Sequence, residues 1–134
     1  MQGNRNIEIK ARVADLAREW DLPATVGVAD VPALMAQEHL SAEEAARRAR
    51  YRFLAGVAAG EGAAAIALGH TAGDQAETVL MHIVRGAGPA GLRGMRPLAP
   101  LAPWMEAGLA LPRPLRLVRP LLTLARDETV AYCA

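Results

Sequence analysis

Cysteine is almost absent from this 134-residue chain, Cys133 being the only one. That excludes a disulfide framework and a thiolate metal cluster, and it fits a reducing cytoplasm. Long apolar runs are missing too: Ala63 to Gly69, among the longest, is far too short to span a bilayer. Met1 to Lys10 is polar and charged, unlike a secretory signal. The expectation is a soluble cytoplasmic protein with no membrane partner. There is no internal repeat. Aromatic residues are only 4% of the chain. Trp20, Tyr51 and Phe53 are too scattered to form a base-stacking platform and are read as core or boundary residues.

What is present is an apolar fraction of 52%, enough for one domain around one modest core. The net charge of +1 is uninformative, but its distribution is not. Between Arg85 and Arg126 there are seven arginines and one acid, Glu106. Such a stretch carries a positive field suited to phosphates, or it is a solvated loop surface. Both readings stay open on charge alone.

Ile9, Val13, Leu16 and Trp20 recur at helical spacing and predict a helix from about Asn6 to Trp20, ending before Pro23. Thr25 to Ala29 is β-prone, and Val31 to Leu40 reads as loop. Ser41 with Glu44 three residues on is a capping box. The helix it opens should run to about Ala59, with Glu43–Arg47 and Glu44–Arg48 pairs along it. Ala63 to Leu68 reads as a strand apolar on both faces, the kind buried in the middle of a sheet. A helix starting near Asp74 would bury Ala76, Val79, Leu80, Ile83 and Val84, and Gly86 would end it. Pro97 to Pro120 holds six of the nine prolines and reads as loop, with a candidate strand at Leu115 to Val118. A last helix begins near Leu124. Helix alternating with strand indicates an α/β layer fold.

The chemically informative segment runs from Gly69 to Thr78. It leaves a strand and opens a helix, the position at which α/β sheets bind ligands and at which a helix N-terminus favours phosphate. His70 would enter that crevice. Asp74 and Glu77 share a face of the first helical turn and could hold Mg²⁺ or orient an amine. They are equally an acidic capping box, and His70 a hydrogen-bonded histidine at a strand end. Gly86 to Gly91 matches G-x-G-x-x-G, but it follows a helix and leads into a proline-rich loop. A dinucleotide site is therefore rejected in favour of a flexible glycine loop. His82 is read as a surface residue, because a His70–Asp74–His82 set matches no metal motif.

Three blocks in order resemble one family. GHTAGDQAETVLMHIVRGAGPAGLRGM (Gly69 to Met95) is similar to the signature of the tRNA(Ile)-lysidine synthetase family. EEAARRARYRFL (Glu43 to Leu54) and RPLLTLARDETVAYC (Arg119 to Cys133) resemble its flanking blocks. The resemblance implies that 1–134 is a partial ATP-pyrophosphatase (PP-loop) domain. Its fold would be a three-layer, doubly wound parallel sheet of the adenine nucleotide α-hydrolase-like type, incomplete in this chain. Thr25 to Ala29 would match the family's third strand and Ala63 to Leu68 its fourth, in the order 3-2-1-4-5.

The resemblance further implies ATP and Mg²⁺ as cofactors, and tRNA(Ile) and L-lysine as partners. The wobble cytidine would be adenylated, then attacked by lysine. His70, Asp74 and Glu77 fall on functional positions, with Asp74 as metal ligand. Arg47, Arg50, Arg85, Gly86 and Gly88 would lie along ATP or tRNA. Two departures stand out: Gly73 replaces the first acid of an Asp-Asp pair, and no SGGxDS phosphate loop occurs in the 134 residues. The expectation is a fragment that is inactive alone and that self-associates through unpaired strand edges. The alternatives are a non-catalytic nucleotide-binding module or inactive remnant, and a tRNA thiolase, against which the single cysteine argues.

Overall fold

The computed structural model describes residues 13–106 and 114–134. The chain divides into two compact units, Met1–Ala49 and Arg50–Ala134.

In the first unit, residues 13–19 form helix α1. The expected start at Asn6 lies outside the described residues. The Leu22 N–H bonds to the Ala17 carbonyl at 2.8 Å as the helix unwinds, and Asp21 adopts a positive φ of 53°. Trp20 is not a core or boundary residue, being 62% exposed. Thr25 to Ala29 forms no strand. All of residues 21–30 are exposed, Val28 completely so. A β-prone run becomes a strand only where another strand supplies hydrogen-bond partners, and none of the described residues pairs with it.

The expected loop after it is instead helix α2, Val31–Glu38. Asp30 and Pro32 look like chain breakers but are N-terminal helix signals. The Asp30 carboxylate accepts from the Ala33 N–H at 2.9 Å, and Pro32 sits in the first turn, where no N–H is needed. His39 ends the helix in the left-handed region, φ 52°.

Helix α3, Ala42–Gly60, begins where expected. The Ser41 hydroxyl accepts from the Glu44 N–H at 3.2 Å. The Glu44 carboxylate faces Arg48 at 3.4 Å, and Arg48 also pairs with Glu38 at 2.7 Å. Arg47 lies 3.8 Å from Glu44.

The second unit contains the core. Tyr51, Ala55 and Ala58 fall at helical spacing on α3 and pack with Ile66, Leu101, Met105, Leu115 and Leu117. The sheet has three short strands: β1 (Ala65–Ala67), β2 (Leu98–Pro100) and β3 (Arg116–Val118), in the order β1-β3-β2. β1 and β3 are parallel, with Ile66 opposite Leu117. β2 is antiparallel to β3, with Ala99 opposite Leu117. The sheet is therefore mixed. The proline-rich stretch holds two strands and helix α5, Pro103–Glu106. Proline is tolerated there because, among the described residues, β2 is an edge strand, and Pro100 ends it.

β1 is not covered on both faces: Ile66 is buried, while Ala65 and Ala67 are exposed. Helix α4, Ala72–Val84, starts two residues before Asp74. None of its residues is buried, so Ala76, Val79, Leu80, Ile83 and Val84 do not form the expected buried stripe. Amphipathic spacing fixes which face is apolar, not what covers it. Helix α6, Arg126–Cys133, ends the chain.

Candidate functional site

β1 and β3 run parallel, so both end at the same edge of the sheet, and each leads towards a helix N-terminus. β1 leads through Gly69–Thr71 into α4. β3 leads through the turn 119–125 into α6. Two backbone bonds tie these exits together. The Leu68 N–H donates to the Val118 carbonyl at 2.9 Å, and the Ala72 N–H to the Leu124 carbonyl at 2.9 Å. Two helix N-termini thus meet at the C-terminal edge of a parallel strand pair, the place where α/β sheets bind ligands.

Asp74 is half-buried in the first turn of α4. Its Oδ2 accepts from the Thr71 N–H at 2.7 Å and from the Thr71 hydroxyl at 3.0 Å. The Thr71 N–H does most to hold this carboxyl below its ordinary range; desolvation opposes the effect, and the Thr71 hydroxyl, His70 and Arg126 reinforce it. Asp74 is therefore an ionised group with His70 and Arg126 close enough for their charges to act on it. Its capping partner is Thr71, not Glu77. Glu77 lies one turn on and is exposed.

The first-turn N–H groups are not all open to a phosphate, since Thr71 donates to Asp74 and Ala72 to Leu124. No group of three His, Cys, Asp or Glu side chains capable of holding a metal occurs among the described residues. Asp74 supplies one carboxylate, the kind of hard oxygen that Mg²⁺ takes.

His82 is more than a surface residue: half-buried, its Nδ1 lies 2.7 Å from the Gly91 carbonyl. Gln75 bonds both backbone groups of Met95. Spacing gave no sign of Thr71, Gln75 or Arg126, although all three fall inside the recognised blocks. Arg85 is the exposed C-cap of α4, and Gly86 follows with φ +71°. Gly88 is exposed. Arg50 is exposed, its guanidinium carbon 5.6 Å from the centre of the Tyr51 ring. Arg47 pairs along its own helix with Glu44.

The PP-loop domain family matches residues 2–134. The chain belongs to that family. A PP-loop domain implies the α/β ATP-pyrophosphatase fold, of which this chain shows helices and a small mixed sheet. The chain is 46% identical over 123 residues to a tRNA(Ile)-lysidine synthase of Dehalococcoides mccartyi, covering 92% of this chain and 25% of the relative. It is 48% identical over 124 residues to that of Salinispora tropica, covering 92% and 33%. For Geobacter sulfurreducens the identity is 42% over 132 residues, covering 98% and 25%. The PP-loop chain thus spans between a quarter and a third of the length of these relatives.

Proposed function

We propose that this chain works within an ATP-dependent tRNA-modifying enzyme that forms lysidine on the wobble cytidine of tRNA(Ile), in the cytoplasm. The observation that carries the reading is the juxtaposition of His70, ionised Asp74 and Arg126 where α4 and α6 start, at one edge of a parallel strand pair. The names of the relatives supply the substrate class.

In this reading ATP activates the cytidine, lysine attacks the adenylated base, and AMP leaves. Asp74, kept ionised by Thr71, offers one oxygen to Mg²⁺ or to the lysine ammonium group. His70 and Glu77 orient the amine, and a His70 ring without its second proton can take the proton the amine sheds. Arg85, Gly86 and Gly88 lie along ATP or the tRNA, and Arg47 and Arg50 face the phosphates or the tRNA. In a full doubly wound sheet, β1 would lie beside the strand that bears the phosphate loop. The 134 residues contain no SGGxDS segment, and preorganised N–H donors of that kind are worth about 10²–10³ in rate. Copies of the chain associate with one another through surface the fold leaves open.

The test is incorporation of labelled lysine into unmodified tRNA(Ile) with ATP and Mg²⁺. The chain alone should give none. A chimera in which this chain replaces the matching segment of the Salinispora relative should be active, and Asp74→Ala or His70→Ala in it should lose at least about 10² in rate. A folded chimera that binds ATP but is inactive would favour the non-catalytic nucleotide-binding reading. Clear turnover by the chain alone would overturn the need for the missing loop.

A further inference from the structure

The segment between α4 and β2 is an arginine-bearing loop with an unusual attachment. Residues 85–97 contain Arg85, Arg93 and Arg96 and no acid, and all three arginines are exposed. Two side chains on one face of α4, seven residues apart, reach across and grip its backbone. The Gln75 carboxamide uses both ends on a single residue. Its Oε1 accepts from the Met95 N–H at 2.7 Å, and its Nε2 donates to the Met95 carbonyl at 2.9 Å. His82 places Nδ1 2.7 Å from the Gly91 carbonyl. A carbonyl only accepts, so this contact selects a ring that carries its proton on Nδ1.

Each grip coincides with a glycine. A Cβ on Gly94 would lie 2.6 Å from Gln75 Oε1, and Gly94 also has a φ of +58°. A Cβ on Gly91 would lie 2.5 Å from the Ala87 Cβ and 3.2 Å from the His82 Cβ. The far end is tied as well. Arg119 donates from its guanidinium to the Arg96 carbonyl and from its backbone N–H to the Pro97 carbonyl, both at 2.8 Å.

We propose that Gln75 and His82 are positioning residues that lock loop 85–97 onto α4, so that its arginines meet a polyanion already ordered. This rests on the tRNA reading above. A free loop must be ordered when a polyanion binds, which weakens affinity. A clamped loop has met that entropy during folding. The clamp bonds leave the guanidinium groups of Arg85, Arg93 and Arg96 out of the grip, so it orders the backbone without spending the loop's own cations.

The experiment uses the full 134-residue chain, amide hydrogen exchange without RNA, and affinity for an unmodified tRNA(Ile) transcript at fixed salt. Gln75→Ala and Gly94→Ala should speed exchange of the Met95 amide about tenfold, the equivalent of one hydrogen bond. They should also weaken tRNA binding by roughly threefold to tenfold. His82→Ala should loosen the amides around Gly91 and weaken binding to a similar degree. His82→Asn, whose amide can donate in place of Nδ1, should restore both. Fast Met95 exchange in the unaltered chain would overturn the clamp. His82→Asn behaving like His82→Ala would overturn the role given to the imidazole N–H. A loosened loop with unchanged tRNA affinity would overturn the positioning role. A protected loop in a chain that binds no tRNA would overturn the positioning role alone, since the tRNA reading concerns the longer enzyme and is decided by lysine incorporation in the chimera.

Discussion

Asp74 serves the fold before it serves any chemistry. One of its oxygens takes two donors from Thr71, and it sits where a helix N-terminus favours negative charge. Asp74→Ala should cost about 1 kcal/mol, the usual size of a lost cap. Asp74→Asn keeps an acceptor but loses the charge. A carboxyl whose pKa is lower in the folded state stabilises the fold at pH values above its unfolded pKa. That contribution is lost as pH falls through the depressed folded value. The stability gap between the natural chain and Asp74→Asn should therefore be widest near neutral pH and close in strong acid. A gap that does not change with pH in urea titrations would refute the assignment. His70 and Asp74 were legible in the sequence because strand, turn and helix spacing puts them at one sheet edge. Gln75 and His82 were not. Their partners are backbone atoms of Met95 and Gly91, and no local pattern encodes a bond to a distant main-chain group.

Elements were legible in proportion to how much of their stability is local. α3 carries its own start signal at Ser41, an internal Glu44–Arg48 pair and an apolar spacing of 51, 55 and 58. α2 has a cap but little amphipathic pattern, so Val31 to Leu40 reads as loop from sequence alone. Strands of three residues are set by partners, not by propensity. Leu98–Pro100 pairs because Arg116–Val118 lies beside it, whereas Thr25 to Ala29 has β-prone residues and no strand. If α2 depends on its cap, Asp30→Ala should unfold it locally. The expected loss is about 0.5–2 kcal/mol of helix stability, read as faster exchange of the amides of residues 34–38. Unchanged exchange there would mean that tertiary contacts, and not Asp30, hold the helix.

At the scale of the whole molecule, the question is what covers the apolar surface. Leu80 is 60% exposed and Val84 81% on α4. β1 shows Ala65 and Ala67 to solvent, and among the described residues it has a strand neighbour on one side only. An apolar edge strand recruits other chains, and burying an aliphatic side chain fully is worth about 1.5–3 kcal/mol. A second copy of the chain brings an identical stripe and edge, so a two-fold pairing would cover both at once. Light scattering on the purified chain at micromolar concentration should therefore give a mass above the monomer's. Leu80→Lys with Val84→Lys should lower that mass, and Ala67→Lys should do so independently by placing a charge on the edge. Because all three positions are exposed, the variants should change folding stability by no more than about 0.5 kcal/mol per site. Melting curves near that of the parent would thus separate lost association from lost fold. A monodisperse monomer with well-protected amides in Ala65–Ala67 would show that the single chain protects its own edge, and association would then have no part in how this chain works.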